Sequence, residues 1–307
     1  MNRRYFLLGT GAVLAAAPLV SLFSRGFRPD AAAGDFQMIR GNVGYYTNSG
    51  GTIGVYLPAG RPEGGVIIDT QFPESARHLL DLLREKGELA QFSLLANTHH
   101  HGDHTGGNGV FAPLAKQHIS HARAKQNLED NLAANDKAGT LPLPGTTFTT
   151  SWSTNLPDGK ESISLRHFGA GHTGGDAVVH FENANVAHLG DLLFNRRFPY
   201  IDPKAGGNLT NWAEVMKSIR QFYDKNTIYI FGHAADGYPV FGTASDLKAF
   251  ENYLRSLRKY VTREKKKGTT LEALKAKTVT IPGAETWNFG ERLRDVNLEV
   301  MWEEVNE

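Results

Sequence analysis

The chain has 307 residues, 40% hydrophobic and 21% charged, the make-up of an ordinary globular protein. At this length folding buries roughly 75% of the surface exposed by the unfolded chain, so neither a disulfide nor a structural metal is needed to hold a core together. A formal net charge of +1, from 33 basic and 32 acidic side chains, gives no electrostatic reason to bind nucleic acid or an anionic membrane. Cysteine is absent, which excludes a thiolate nucleophile and leaves His, Asp and Glu to hold any metal.

The N-terminus opens with Arg3-Arg4 and runs uncharged from Tyr5 to Ser24. It looks like a twin-arginine export signal, and Ala31-Ala32-Ala33 supplies small residues for cleavage before Gly34. An uncleaved anchor is the alternative, because the uncharged stretch is long enough to span a bilayer. The expected organisation is therefore a signal over 1–33, one domain over 34–268, and a helical extension over 269–307 packing on that domain. The expected location is periplasmic or secreted. The export machinery would be a transient partner, with no stable membrane insertion after cleavage.

Short strands are predicted over Val43–Thr47, Thr52–Leu57 and Val66–Asp69, separated by Gly- or Pro-bearing turns. Ala76, Leu79, Leu80 and Leu83 form one apolar stripe, predicting a helix over Glu74–Lys86. Ser93–Ala96 reads as a buried strand, and a helix follows over His121–Asn135. Thr147–Ser153 and Ser162–His167 read as two strands joined by a turn, and Ala177–Phe181 with Asn185–Leu189 repeats that pattern. Beyond them come a helix over Asn211–Tyr223, a strand over Thr227–Phe231 and a helix over Ala244–Lys267. Two runs of strands, each followed by helices, predict two face-to-face sheets with helices outside.

Directly after the Ser93–Ala96 strand stands His99-x-His101-x-Asp103-His104. In a loop, His99 and His101 can turn toward one ion while Asp103 and His104 reach a neighbouring one, and these are ligand types that zinc, iron and manganese accept. Further candidates follow at strand ends and in Gly-rich turns: His172 in Gly171-His172-Thr173-Gly174-Gly175-Asp176, Asp191 in His188-Leu189-Gly190-Asp191, and His233 in Phe231-Gly232-His233. Each alone is weak, since a lone His or Asp at a strand end is more often a turn former.

Together and in this order these residues resemble the metallo-β-lactamase superfamily. The resemblance runs from Gly50-Gly51 and Val66-Ile67-Ile68-Asp69-Thr70 to His233 and implies an αββα sandwich. It further implies that His99, His101 and His172 hold one metal, that Asp103, His104 and His233 hold a second, and that Asp191 bridges them. Two Zn2+ per chain are the expected cofactors, with Fe or Mn as alternatives. Asp69 and Asp176 match family positions that orient ligands or the ligand loop, with turn capping as their plainer role.

The expected activity is hydrolysis of a small-molecule ester, thioester, lactone or β-lactam. A hydroxide bridging two metals roughly 3.5 to 4 Å apart would attack the carbonyl, with Asp103 orienting it and shuttling a proton. Asp191 excludes the lactamases that use Cys there and favours relatives such as glyoxalase II and the lactonases. A β-lactamase proper and an iron-dependent oxidoreductase of the same fold are the alternatives. Arg196, Arg197 and Tyr45 are the candidate substrate contacts. His78, His118, His121, His167, His180 and His188 are read as ordinary structural histidines, and His100 as pointing away from the metals.

Overall fold

The computed structural model describes residues 35–60, 63–85 and 91–305; the export signal expected over residues 1–33 lies outside them. Strands β1 (Asp35–Arg40), β2 (Val43–Thr47), β3 (Ile53–Tyr56), β4 (Glu63–Ile68), β5 (Gln91–Asn97), β6 (His118–His121) and β7 (Thr146–Phe148) form one sheet in chain order. Its first four strands pair antiparallel, and β4 through β7 pair parallel. A second sheet takes β8 (Ser151–Asn155), β9 (Ser162–Arg166), β10 (Val178–Phe181), β11 (Val186–His188), β13 (Ile228–Ile230) and β15 (Phe241–Gly242) in that order. The short strands β12 (Phe194–Asn195) and β14 (His233–Ala234) pair parallel beside it.

Side-chain alternation with a period of two builds the layers. Val66 and Ile68 of β4, Leu94 and Ala96 of β5, Val186 of β11 and Ile230 of β13 meet in the core between the sheets. Their neighbours Ile67 and Leu95 face the opposite way, onto α1 (Pro73–Glu85), whose Ala76, Leu79, Leu80 and Leu83 are buried there. Ala187 and Tyr229 likewise leave the inner core for an outer one. The chain is thus an αββα sandwich.

Four helices follow α1 before the outer core is complete: α2 (Gly102–Thr105), α3 (Asn108–Phe111), α4 (Ala122–Ala134) and α5 (Leu209–Phe222). The outer core is then closed by α6 (Ala244–Lys266), α7 (Leu271–Lys277) and α8 (Glu291–Glu304). Trp212 of α5 lies at its centre, fully buried, with its indole N–H donating to Leu192 O at 3.0 Å. The C-terminal helices share this core through Leu274, Leu298 and Met301, and the segment joining them through Ile281 and Trp287. Among the described residues no helix is long and apolar enough to cross a membrane.

The strand expected over Thr147–Ser153 is in fact two. β7 pairs with β6 in the first sheet and β8 with β9 in the second, so the chain changes sheets at Thr149-Thr150. The run Thr146-Thr147-Phe148-Thr149-Thr150-Ser151-Trp152 is β-prone throughout, and the corner is held from outside the segment: His121 Nε2 donates to Thr149 O at 2.9 Å, and His167 N to Thr150 O at 3.0 Å.

Candidate metal centre

The centre lies where strand ends of both sheets meet. β5 ends at Asn97, and the next residue, Thr98, donates through N at 2.8 Å and through Oγ1 at 2.7 Å to the carboxylate of Asp69. Asp69 stands just past β4 with φ +61°, a left-handed conformation that costs a non-glycine residue about 1–3 kcal/mol. Its Oδ2 also accepts from His104 Nδ1 at 2.8 Å, so one buried carboxylate ties the start of the histidine run to its end. Asp103 and His104 sit in a single helical turn, α2, rather than in open loop as expected. His101 caps that turn with extended backbone, and Thr105 Oγ1 donates to His101 O at 3.0 Å.

His172 comes from the turn between β9 and β10. Asp176 gathers this turn by accepting from Thr173 N at 2.8 Å, Thr173 Oγ1 at 2.6 Å and Gly171 N at 3.3 Å. Burial of the Asp176 carboxyl outweighs these bonds and pushes its pKa up to about 7. His172 Nδ1 donates to Tyr200 O at 2.8 Å, which turns Nε2 into the centre. Asp191 follows β11, and His233 lies in β14, its ring stacked on Phe194 of β12 at 5.2 Å.

Two ligand sets result. His99, His101, His172 and Asp191 each offer an atom within 4.8 Å of the others, and Asp103, His104 and His233 do the same beside them. Asp191 joins the sets. Its Oδ2 is 3.5 Å from His172 Nε2 and 3.9 Å from His99 Nε2, while Oδ1 is 3.0 Å from His104 Nε2 and 3.4 Å from His233 Nε2.

The donor set fits cations. His99 Nε2, His104 Nε2 and Asp191 Oδ1 are buried without an aligned hydrogen-bond partner, an arrangement that would cost about 1–3 kcal/mol per atom if nothing else bound there. Electrostatics agree. Burial by itself would raise Asp191, but the imidazoles of His233 and His104 hold it well below the usual carboxylate range. Burial likewise opposes ionisation of Asp103, yet His104 and His233 bring it down to about 2. Burial and His104 push His99 well below its ordinary value. In His104 the carboxylates of Asp191, Asp103 and Asp69 overcome burial and hold the imidazole well above it. The cluster is built around positive charge.

The remaining expected residues divide. Arg197 lines the cleft at the centre, a cavity of about 350 Å3 shared with His101, Asp103, Asp191 and His233 and walled by Phe194, Tyr200 and Leu293. Tyr45 is buried and lines an adjoining cavity of about 330 Å3 that also reaches Arg197 and His233. Arg196 lines neither of these two cavities, and its guanidinium lies over the Trp287 ring at 4.5 Å. His100 belongs to neither ligand set.

Several participants were hidden in the sequence. His188, read as ordinary, is fully buried; its Nε2 donates to Thr52 O at 3.0 Å and its Nδ1 accepts from Gly190 N at 3.1 Å, next to Asp191. Asn97 and Asn108 bond each other under His104. Asp202 bonds His101, but in Ile201-Asp202-Pro203 it reads as a turn former. Leu293 comes from the C-terminal extension, for which no site role was foreseen.

The sequence model of the metallo-beta-lactamase superfamily matches residues 51–264. Among solved structures, the inverting sec-alkylsulfatase Pisa1 from Pseudomonas sp. superposes with a TM-score of 0.68 at 14% identity, covering 88% of this chain and 50% of that one. The chain therefore spans about half the length of that enzyme. A metallo-beta-lactamase from Pontibacter korlensis superposes with a TM-score of 0.55 at 20% identity, covering 72% of this chain and 98% of that one. The metallo-beta-lactamase DIM-1 gives 0.56 at 17% identity over 72% of this chain and 97% of its own. At these identities the likenesses show a shared fold.

Proposed function

The chain belongs to the metallo-β-lactamase superfamily, and from that membership we propose that it is a binuclear metal-dependent hydrolase acting on an ester, thioester, lactone or β-lactam. The observation that carries the reading is Asp191, whose two carboxylate oxygens face different histidine sets. His99, His101 and His172 would hold one cation and Asp103, His104 and His233 the other, with Asp191 common to both. Zinc is the first choice for this donor set, and iron and manganese also accept it.

A bound metal pair supplies an activated water and a Lewis acid for the scissile group. The chain supplies the rest. Asp69 and Asp176 hold His104 and the His172 turn in place. Asp103 is the most exposed carboxylate of the two sets, with 29% of its side chain open to the cleft. Ionised at neutral pH, its carboxylate can take a proton from the attacking water and return it to the leaving group. Arg197, which pairs with no carboxylate among the described residues, would meet an anionic part of the substrate. Phe194, Tyr200 and Leu293 would exclude water from an apolar part.

A second reading, hydrolysis of a sulfate ester, is favoured by that same guanidinium, which lies over the Phe289 ring at 5.0 Å without a carboxylate partner among the described residues, beside an apolar wall. Export through the twin-arginine route rests on Arg3-Arg4 and the uncharged run behind them; Arg3→Lys with Arg4→Lys should then retain the protein in the cytoplasm on fractionation. The decisive experiment pairs metal analysis of protein purified without added metal with a panel of carboxylic esters, thioesters, lactones, β-lactams and alkyl sulfates. Two metal equivalents with turnover of a carbonyl substrate support the reading, and β-lactams as the best substrates would make it a β-lactamase proper. Turnover of sulfates alone would favour the second reading. Stoichiometric iron without zinc, and no hydrolysis anywhere in the panel, would overturn both in favour of an iron-dependent oxidoreductase.

A further inference from the structure

We infer that Asp202 is a positioning residue for this centre, fixing the ring and tautomer of His101 so that Nδ1 stays free for a cation; the inference rests on reading the two His/Asp sets as metal sites. His101 Nε2 donates to Asp202 Oδ2 at 3.0 Å, and His101 Nδ1 faces His172 Nε2 at 2.8 Å. A neutral imidazole carries one proton. With that proton committed to a carboxylate at Nε2, the lone pair stands at Nδ1, on the side of the ligand set.

His101 needs such a partner more than its neighbours do. The side chains of His99 and His172 are buried to within 1% and 0% exposure, so packing fixes their rings, whereas His101 keeps 16% exposure. Their second nitrogens meet neutral partners, Thr98 Oγ1 at 3.0 Å and Tyr200 O at 2.8 Å. Only His101 of the three hydrogen-bonds a carboxylate through its outer nitrogen among the described residues. Partners of this kind raise ligand basicity as well as orienting the ring.

Asp202 is itself held from several sides. Its Oδ1 accepts from Ala205 N at 3.1 Å, its backbone N donates to His172 O at 3.1 Å, and its carbonyl accepts from Gly207 N at 2.8 Å. The same carboxylate faces His100 Nε2 at 3.7 Å, beyond hydrogen-bond reach. The C-terminal helix pins both ends of this loop. Asn297 Nδ2 donates to Pro199 O at 2.6 Å, and Glu304 accepts from Leu209 N and Thr210 N at 2.7 Å each. The extension thus braces the loop that braces two ligands of one set.

The test uses the full chain, stripped of metal and titrated with zinc against a competing chelator, for wild type, Asp202→Ala and Asp202→Asn. Nitrogen chemical shifts of the His101 ring are read in the metal-free proteins, and thermal melting checks folding. Wild type should show His101 protonated at Nε2 and should bind two ions. Asp202→Ala should lose that single tautomer and bind one of the two ions about 10- to 100-fold more weakly, leaving the other unchanged. Asp202→Asn, whose amide oxygen accepts without charge, should fall between them. Unchanged affinity for both ions in a folded Asp202→Ala or Asp202→Asn overturns the inference alone. A wild type that binds no zinc, manganese or iron overturns the functional reading and the inference with it.

Discussion

Gly232 and Asp191 are packed so closely that a β-carbon on Gly232 would occupy the space of Asp191 Oδ1, and would also crowd the Gly190 carbonyl at 2.8 Å. The glycine is required by the carboxylate beside it. Its own carbonyl accepts from Thr52 N at 2.9 Å and its N–H donates to Gly190 O at 2.8 Å, so the backbone cannot retreat. Gly232→Ala should therefore displace Asp191 from between the two sets. The expected result is loss of at least one metal equivalent, with a destabilisation of about 1–3 kcal/mol from overpacking. Metal stoichiometry and urea unfolding measure the two effects, and full occupancy in the variant would contradict the bridging placement of Asp191.

Asp103→Ala separates chemistry from folding. The side chain is partly open to the cleft and makes its closest contact with His233, so no core packing depends on it. Turnover should fall by a factor of about 100 to 10,000, the range spanned by general acid–base groups. Compared in the metal-free state, the melting temperature should stay close to that of wild type. Near-normal kcat in this variant would remove Asp103 from the mechanism.

Stripping the metal should cost stability as well as activity. The metal-free centre keeps Asp191 buried among imidazoles, with polar atoms that lack aligned partners. A ligand that binds only the folded state adds about 2.7 kcal/mol at a concentration of 100 Kd. Chelation should lower the melting temperature measurably, and readdition of zinc, manganese or iron should restore it to an extent that ranks their affinities. Equal melting of the loaded and stripped proteins would argue against occupation of these two sets.

The legible parts of this protein were those carried by local pattern. The α1 stripe of Ala76, Leu79, Leu80 and Leu83 maps onto one buried helix face, and the Val43–Thr47 strand matches residue for residue. The ligand candidates were visible because unusual residue types recur at strand ends. Illegible were features defined by partners far away in sequence. β6 is four residues long and gains its identity from pairing with β5 and β7. The sheet change at Thr149-Thr150 is held by His121 and His167. Asp202 acquires meaning only through His101, and the packing of Arg196 over Trp287 joins residues 91 positions apart.

His118 and His121, outside both ligand sets, should make the fold sensitive to acid. Burial, with Lys125 nearby, lowers the His118 pKa to about 4; burial and the stacked His167 lower His121 to about 4, against a bond to the Thr149 carbonyl. Both folded values lie below the unfolded value of about 6.5, so protons bind the unfolded chain more readily. The stability these groups contribute is complete above pH 6.5 and is lost as pH falls toward 4, with a slope of at most about 1.4 kcal/mol per pH unit for each residue. His118 Nε2 donates to Asn97 Oδ1 at 2.7 Å, in the network beneath His104, so His118→Gln preserves a donor while removing the titration. Urea unfolding of the chelated proteins between pH 4 and 7 should show a shallower pH slope for His118→Gln than for wild type. Identical slopes would mean that His118 is not held neutral by its burial. A loss of stability by the variant at pH 7 alone would instead measure the hydrogen bond, because at that pH both proteins carry an uncharged side chain there.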